Sequence, residues 1–76
     1  MEINQFETKD LYLSAYLKAK GLSLADTRRD GSRVFFIFED KEKAENLLKE
    51  FFNGGRVSVS LFVKAISDLK TLIHMR

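Results

Sequence analysis

The sequence predicts an α+β domain in the order α-β-β-α-α, a small antiparallel β-hairpin or sheet packed against three helices. Arg33-Val34-Phe35-Phe36-Ile37-Phe38 places five consecutive apolar residues behind an Asp30-Gly31 turn signal. Side chains alternate across a strand, so Val34, Phe36 and Phe38 share one face, and Phe35 and Ile37 the other. By contrast, Ala44, Leu47, Leu48, Phe51 and Phe52 recur at the spacing of one helix face. Pro is absent, and Gly21, Gly31, Gly54 and Gly55 divide the chain into short elements.

The first helix is expected from Lys9 to Lys20, with Thr8 as N-cap and Gly21 as its stop. Asp10, Ser14 and Lys18 make one narrow polar stripe, and Leu11, Tyr12, Leu13, Ala15, Tyr16, Leu17 and Ala19 cover the rest. A helix apolar around that much of its circumference is either central or in contact on two sides. Leu22–Arg28 and Arg33–Glu39 read as a hairpin around Asp30-Gly31. A two-residue loop there sets Thr27 against Val34, Ala25 against Phe36 and Ser23 against Phe38. Leu24 then joins Ile37 on the other face, with Asp26 near Phe35. A Gly bulge would shift that register by one. Ile3 to Phe6 offers a short edge strand.

Asp40 caps the second helix, Glu45 and Lys49 form an i,i+4 pair on it, and Asn53-Gly54 ends it. The third starts near Ser58 or Ser60 and frays at His74-Met75-Arg76. Its buried stripe is Phe62, Ala65, Ile66, Leu69 and Ile73, widened by Val59, Val63 and Leu72, with Lys64 and Asp68 paired outside.

Seventy-six residues make a single domain, 1–76, near the lower limit for one hydrophobic core. The chain lacks Cys, which excludes disulfides, thiol chemistry and Cys-based zinc sites and fits a reducing, cytoplasmic setting. Met1-Glu2-Ile3-Asn4-Gln5 does not read as a signal peptide, and no apolar run approaches the length of a bilayer span. Residues 1–38 carry six basic and five acidic residues, and residues 39–76 seven and six. A balance so even argues weakly for nucleic acid and gives no basic or acidic tail.

The apolar outer face of the hairpin, Leu24, Phe35 and Ile37, has three readings. The third helix or the N-terminal segment covers it, a second copy of the chain covers it, or it is a groove for another protein. Tyr12 and Tyr16 on the first helix are candidates for the same protein interface. Arg28, Arg29 and Arg33 cluster around the hairpin tip and offer an alternative nucleic-acid contact, against the ordinary reading of a solvated tip. The Phe-rich strand does not match the aromatic motif of RNA-recognition sheets, and the element order differs from theirs.

Asp26, Asp30, Glu39 and Asp40 each have a turn, strand or cap position rather than a shared pocket. His74, the single His, has no neighbours at metal-ligand spacing, and Gly54-Gly55-Arg56 lacks the frame of a phosphate loop. The residues therefore imply no catalytic or metal site and no cofactor.

Phe6-Glu7-Thr8-Lys9-Asp10-Leu11-Tyr12-Leu13, with Ala15-Tyr16-Leu17 and Gly21, resembles the opening of a small bacterial and phage domain family of unknown function. The likeness continues through Val34, Phe36, Phe38-Glu39-Asp40, Phe52-Asn53-Gly54, Phe62, Ala65, Leu69-Lys70 and Ile73-His74. It implies a stand-alone domain and no established activity, and it makes Glu7, Thr8, Asp10 and Tyr12 worth testing. The expectation from the residues is a non-enzymatic interaction module that self-associates through apolar sheet or helix surface. The competing expectation is an accessory nucleic-acid binder.

Overall fold

The computed structural model describes residues 4–75. It is an α+β domain with the order β1 (Gln5–Thr8), α1 (Leu11–Ala19), β2 (Leu24–Asp30), β3 (Arg33–Glu39), α2 (Lys41–Phe52) and α3 (Val59–His74). The three strands form one antiparallel sheet in the order β1-β3-β2. The Phe-rich strand is thus central. The domain measures 32 × 30 × 17 Å, which fits a sheet with one layer of helices.

The expected edge strand is present but begins later, and Ile3, where it was expected to start, lies outside the described residues. Thr8 is still paired with Phe36, so it cannot cap α1. Asp10 does so, accepting from the Leu13 N–H at 3.0 Å, while the Thr8 hydroxyl accepts from the Asp10 N–H at 3.1 Å.

The hairpin turn is Gly31-Ser32, not Asp30-Gly31, because Asp30 and Arg33 still pair across the strands. Gly31 has φ 65 while Ser32 keeps a negative φ, the pattern of a turn with glycine at its first central position. The register therefore moves by two residues from expectation, and Thr27 meets Phe36 rather than Val34. A shift of two preserves the faces. A bulge between Leu24 and Asp26 does not, and it turns Leu24 to pair with Phe38.

The inner face of the sheet carries Leu24, Val34, Phe36 and Phe38, all in the core or packed against it. Phe36 and Phe38 are sealed from solvent, as are Leu17 on α1 and Leu69 on α3. Leu13 to Leu17 form an unbroken buried run, and α2 and α3 both pack against α1. Central placement explains its wide apolar arc. It also buries Ser14, expected on a polar stripe, whose hydroxyl has no hydrogen-bond partner among the described residues.

α1 ends where the Leu22 N–H reaches back to the Leu17 carbonyl at 3.0 Å. α2 ends similarly. Gly54 takes φ 77 and the Gly55 N–H donates to the Glu50 carbonyl at 2.7 Å. Asp40 and Ser58 cap α2 and α3 through their side chains. Asp40 does this in the left-handed region, φ 65 and ψ 76.

Candidate interaction surfaces

The five residues expected to form a protein interface do not share one surface. Phe35 and Ile37 are half-buried on the outer sheet face, apart from the packed core. Leu24 is not with them, because the bulge turns it inward. Tyr12 is 57% exposed on α1, in the helix layer. Tyr16 is buried, and its ring packs 5.5 Å from that of Phe51 on α2.

The outer sheet face is not an open apolar patch. Arg28 lies over the Phe35 ring at 4.4 Å and its Nε donates to Glu7 Oε2 at 2.7 Å. That hydrogen bond to Glu7 holds the Arg28 pKa above its ordinary value. Ile37 sits between its register partners Glu7 and Asp26. The conflict seen in the sequence, two apolar faces and one set of helices, is thus met by charged side chains from both flanking strands.

The three arginines of the hairpin do not converge. Arg28 is held by Glu7 on the outer face. Arg29 pairs with Val34 on the inner side, and its Nη2 donates to the Ile73 carbonyl at 3.0 Å. It therefore serves the C-terminal end of α3, whose last carbonyls lack helical partners. Arg33 forms no ion pair among the described residues.

Tyr16 anchors a polar cluster on α1. Its hydroxyl donates to Glu50 Oε1 at 3.1 Å, and burial, followed by this hydrogen bond, raises the phenol above its ordinary 10.0. Lys20 Nζ lies 3.9 Å from the same carboxylate and donates to the Arg56 carbonyl at 3.0 Å. Gly55 closes over the hydroxyl, and a Cβ there would overlap it. The cluster ties the α2–α3 connection to α1.

Two surfaces escaped the sequence reading. The first is the free flank of α3. Val59, Val63 and Leu72 were expected to widen its buried stripe, yet Val59 is 77% and Val63 57% exposed on this flank, and Leu72 is exposed on the opposite one, beside β2. α1 is the helix against which α3 packs, so one side of its apolar arc has no neighbour. Phe52, expected within the buried stripe of α2, is 71% exposed at the end of that helix. The second is a cleft of about 250 Å³ between the hairpin tip and the helices, floored by Leu11, Val34, Phe36 and Ile73. Lys9, Ser32 and Arg33 form its rim. No motif announces it, because its residues come from three separate segments.

Of the four carboxylates weighed for acid–base chemistry, Asp26 accepts from the Thr27 N–H at 2.7 Å and Asp40 caps α2. Among the described residues no group of three or more His, Cys, Asp or Glu side chains could hold a metal ion. No helix among them is long and apolar enough to cross a membrane.

The architecture defines a small two-layer α+β domain. A family model described as a domain of unknown function (DUF5659) matches residues 3–75, and the chain belongs to that family. No curated protein and no solved structure matches it.

Proposed function

We propose that this domain is a non-enzymatic interaction module that self-associates, through α3 rather than through the sheet. The observation that carries the reading is the free flank of α3, where Val59 and Val63 stand exposed beside the half-buried Ile66. These residues are spaced i, i+4, i+7, one ridge and its neighbour on a helix surface. Two copies of the same flank fit each other across a two-fold axis, ridges into grooves, at about −50°. Centred on Val63, such a crossing splays the two Lys70 side chains apart.

Magnitude limits the affinity. Full burial of a Val contributes about 1.5–3 kcal/mol, so four partly exposed Val side chains contribute roughly 4–8 kcal/mol. Association costs about 4 kcal/mol or more in lost freedom. The expected dimer is weak, with a dissociation constant of about 1 mM at the favourable end.

Sedimentation equilibrium over a concentration series, roughly 100 μM to 5 mM, tests this. The mean mass should rise toward twice 8.8 kDa with concentration and stay insensitive to salt. Val63→Glu should hold it at the monomer value, and Phe35→Asp should leave the rise intact. A monomer throughout the series refutes self-association. A rise lost in Phe35→Asp but kept in Val63→Glu returns the interface to the sheet.

A further inference from the structure

The cleft at the hairpin tip combines three features that one kind of ligand would use together. Its floor is apolar, and Phe36 at its base is sealed. Its rim holds Lys9 and Arg33, exposed cations that enter no ion pair among the described residues, whereas Lys20, Arg28 and Lys64 each have a carboxylate. Asp30 is the register partner of Arg33 and forms no ion pair with it.

The third feature is an open stretch of strand edge. The Glu39 N–H donates to the Ser23 carbonyl at 3.2 Å, so the peptide groups of Glu39 face β2. Strand peptide groups alternate sides, so those of Phe38, Phe36 and Val34 face β1. β1 pairs with β3 only as far as Thr8 and Phe36, and the chain then turns into α1. The Val34 N–H and C=O are left beyond the end of β1, beside the cleft that Val34 lines.

We propose that this cleft receives the C-terminal carboxylate of an extended peptide whose last side chain is apolar. Val34 supplies one donor and one acceptor to the peptide backbone, a short strand addition to a sheet edge. Lys9 and Arg33 take the carboxylate, with Arg33 offering a fork of donors. The floor takes the side chain. About 250 Å³ is close to the liquid volume of eight waters, enough for one Leu- or Phe-sized group and its carboxylate but below the usual range for larger ligands. The volume and the single pair of free peptide groups favour a chain end over a nucleotide.

The test is titration of the full chain, labelled with ¹⁵N, with N-acetylated tripeptides ending in Leu, Phe or Val. Each is compared with its C-terminal amide and with hexanoate as a free acid. At least one peptide acid should bind and shift the Val34 amide resonance. Its amide should bind about tenfold or more weakly, since a charge-assisted contact is lost. Lys9→Gln/Arg33→Gln should lower affinity by a similar factor with an unchanged far-UV spectrum, because both residues are exposed. Equal binding of acid and amide, hexanoate binding as tightly as the peptide, a bound peptide that leaves Val34 unmoved, or no binding by any of the three peptides at millimolar concentration overturns the proposal.

Discussion

Gly55→Ala should be among the most damaging single-methyl additions in this domain. The position is exposed, so a surface view predicts no effect. The structure predicts otherwise. The new Cβ would overlap the Tyr16 hydroxyl and stand 2.7 Å from the Glu50 carbonyl oxygen. That carbonyl accepts the Gly55 N–H, and Tyr16 donates to the Glu50 side chain. Forcing these groups apart strains or breaks two hydrogen bonds of about 1 kcal/mol each and adds overpacking of about 1–3 kcal/mol. Partial relaxation brings the expected loss to about 2–4 kcal/mol. A domain of 76 residues has roughly 4–11 kcal/mol in total. Urea unfolding followed by far-UV circular dichroism should show a midpoint lower by roughly 2–4 M, for a slope near 1 kcal/mol/M. Tyr16→Phe in the same background should recover about 1 kcal/mol, because it removes the closest obstructing atom and leaves the carbonyl in place. A Gly55→Ala variant within about 0.5 kcal/mol of the parent, or strictly additive effects in the double variant, would refute this account of the cluster.

Three further outcomes follow from local geometry. Asp40→Asn should stay within about 0.5 kcal/mol of the parent in thermal unfolding, since Asn both caps and tolerates φ 65, whereas Asp40→Ala should lose about 2–3 kcal/mol. Equal losses would remove the left-handed backbone from the explanation. Ser14→Ala should be neutral or stabilising by about 1 kcal/mol, because it deletes a sealed hydroxyl without a partner; a loss above about 1 kcal/mol would mean the hydroxyl is satisfied. The folded state holds the Tyr16 proton more tightly than the unfolded chain. Its contribution is therefore fully present below pH 10.0 and is lost as pH rises through the higher folded value. The stability gap between parent and Tyr16→Phe should be flat below that pH and shrink above it; a gap that widens in alkali contradicts the sign.

Elements with strong local signals were legible in the residues. Asp40 marks the start of α2 and Asn53-Gly54 its end, and both stand where expected. The apolar run behind the turn does form a strand, and α1 is central as its wide arc suggested. The misreadings share a cause, which is that each depended on a contact made by a distant segment. A glycine at φ 65 suits either central position of a tight turn, so Asp30-Gly31 and Gly31-Ser32 are equivalent on paper. The bulge at Ala25 leaves no mark in composition, yet it alone moves Leu24 from the outer face to the core. Val59 and Val63 fit a buried stripe by periodicity. Their exposure follows from α3 lying against α1, with one flank open, and periodicity does not say on which side a neighbour stands. The peptide cleft was beyond sequence reasoning because Lys9, Arg33 and Ile73 meet only in the folded chain.

The central position of β3 also fixes an order of events during synthesis. β2 and β3 are neighbours in sequence and can close as soon as both exist, but Gln5 must wait for Glu39, 34 positions later. β1 leaves the ribosome first and docks after β3. Until it does, the edge of β3 carrying Phe36 and Phe38 is open to another nascent chain with the same vacancy. Four residues, Gln5 to Thr8, end that exposure. An obstructed β1 should therefore show itself less in the finished fold than in the fraction of chains that reach it.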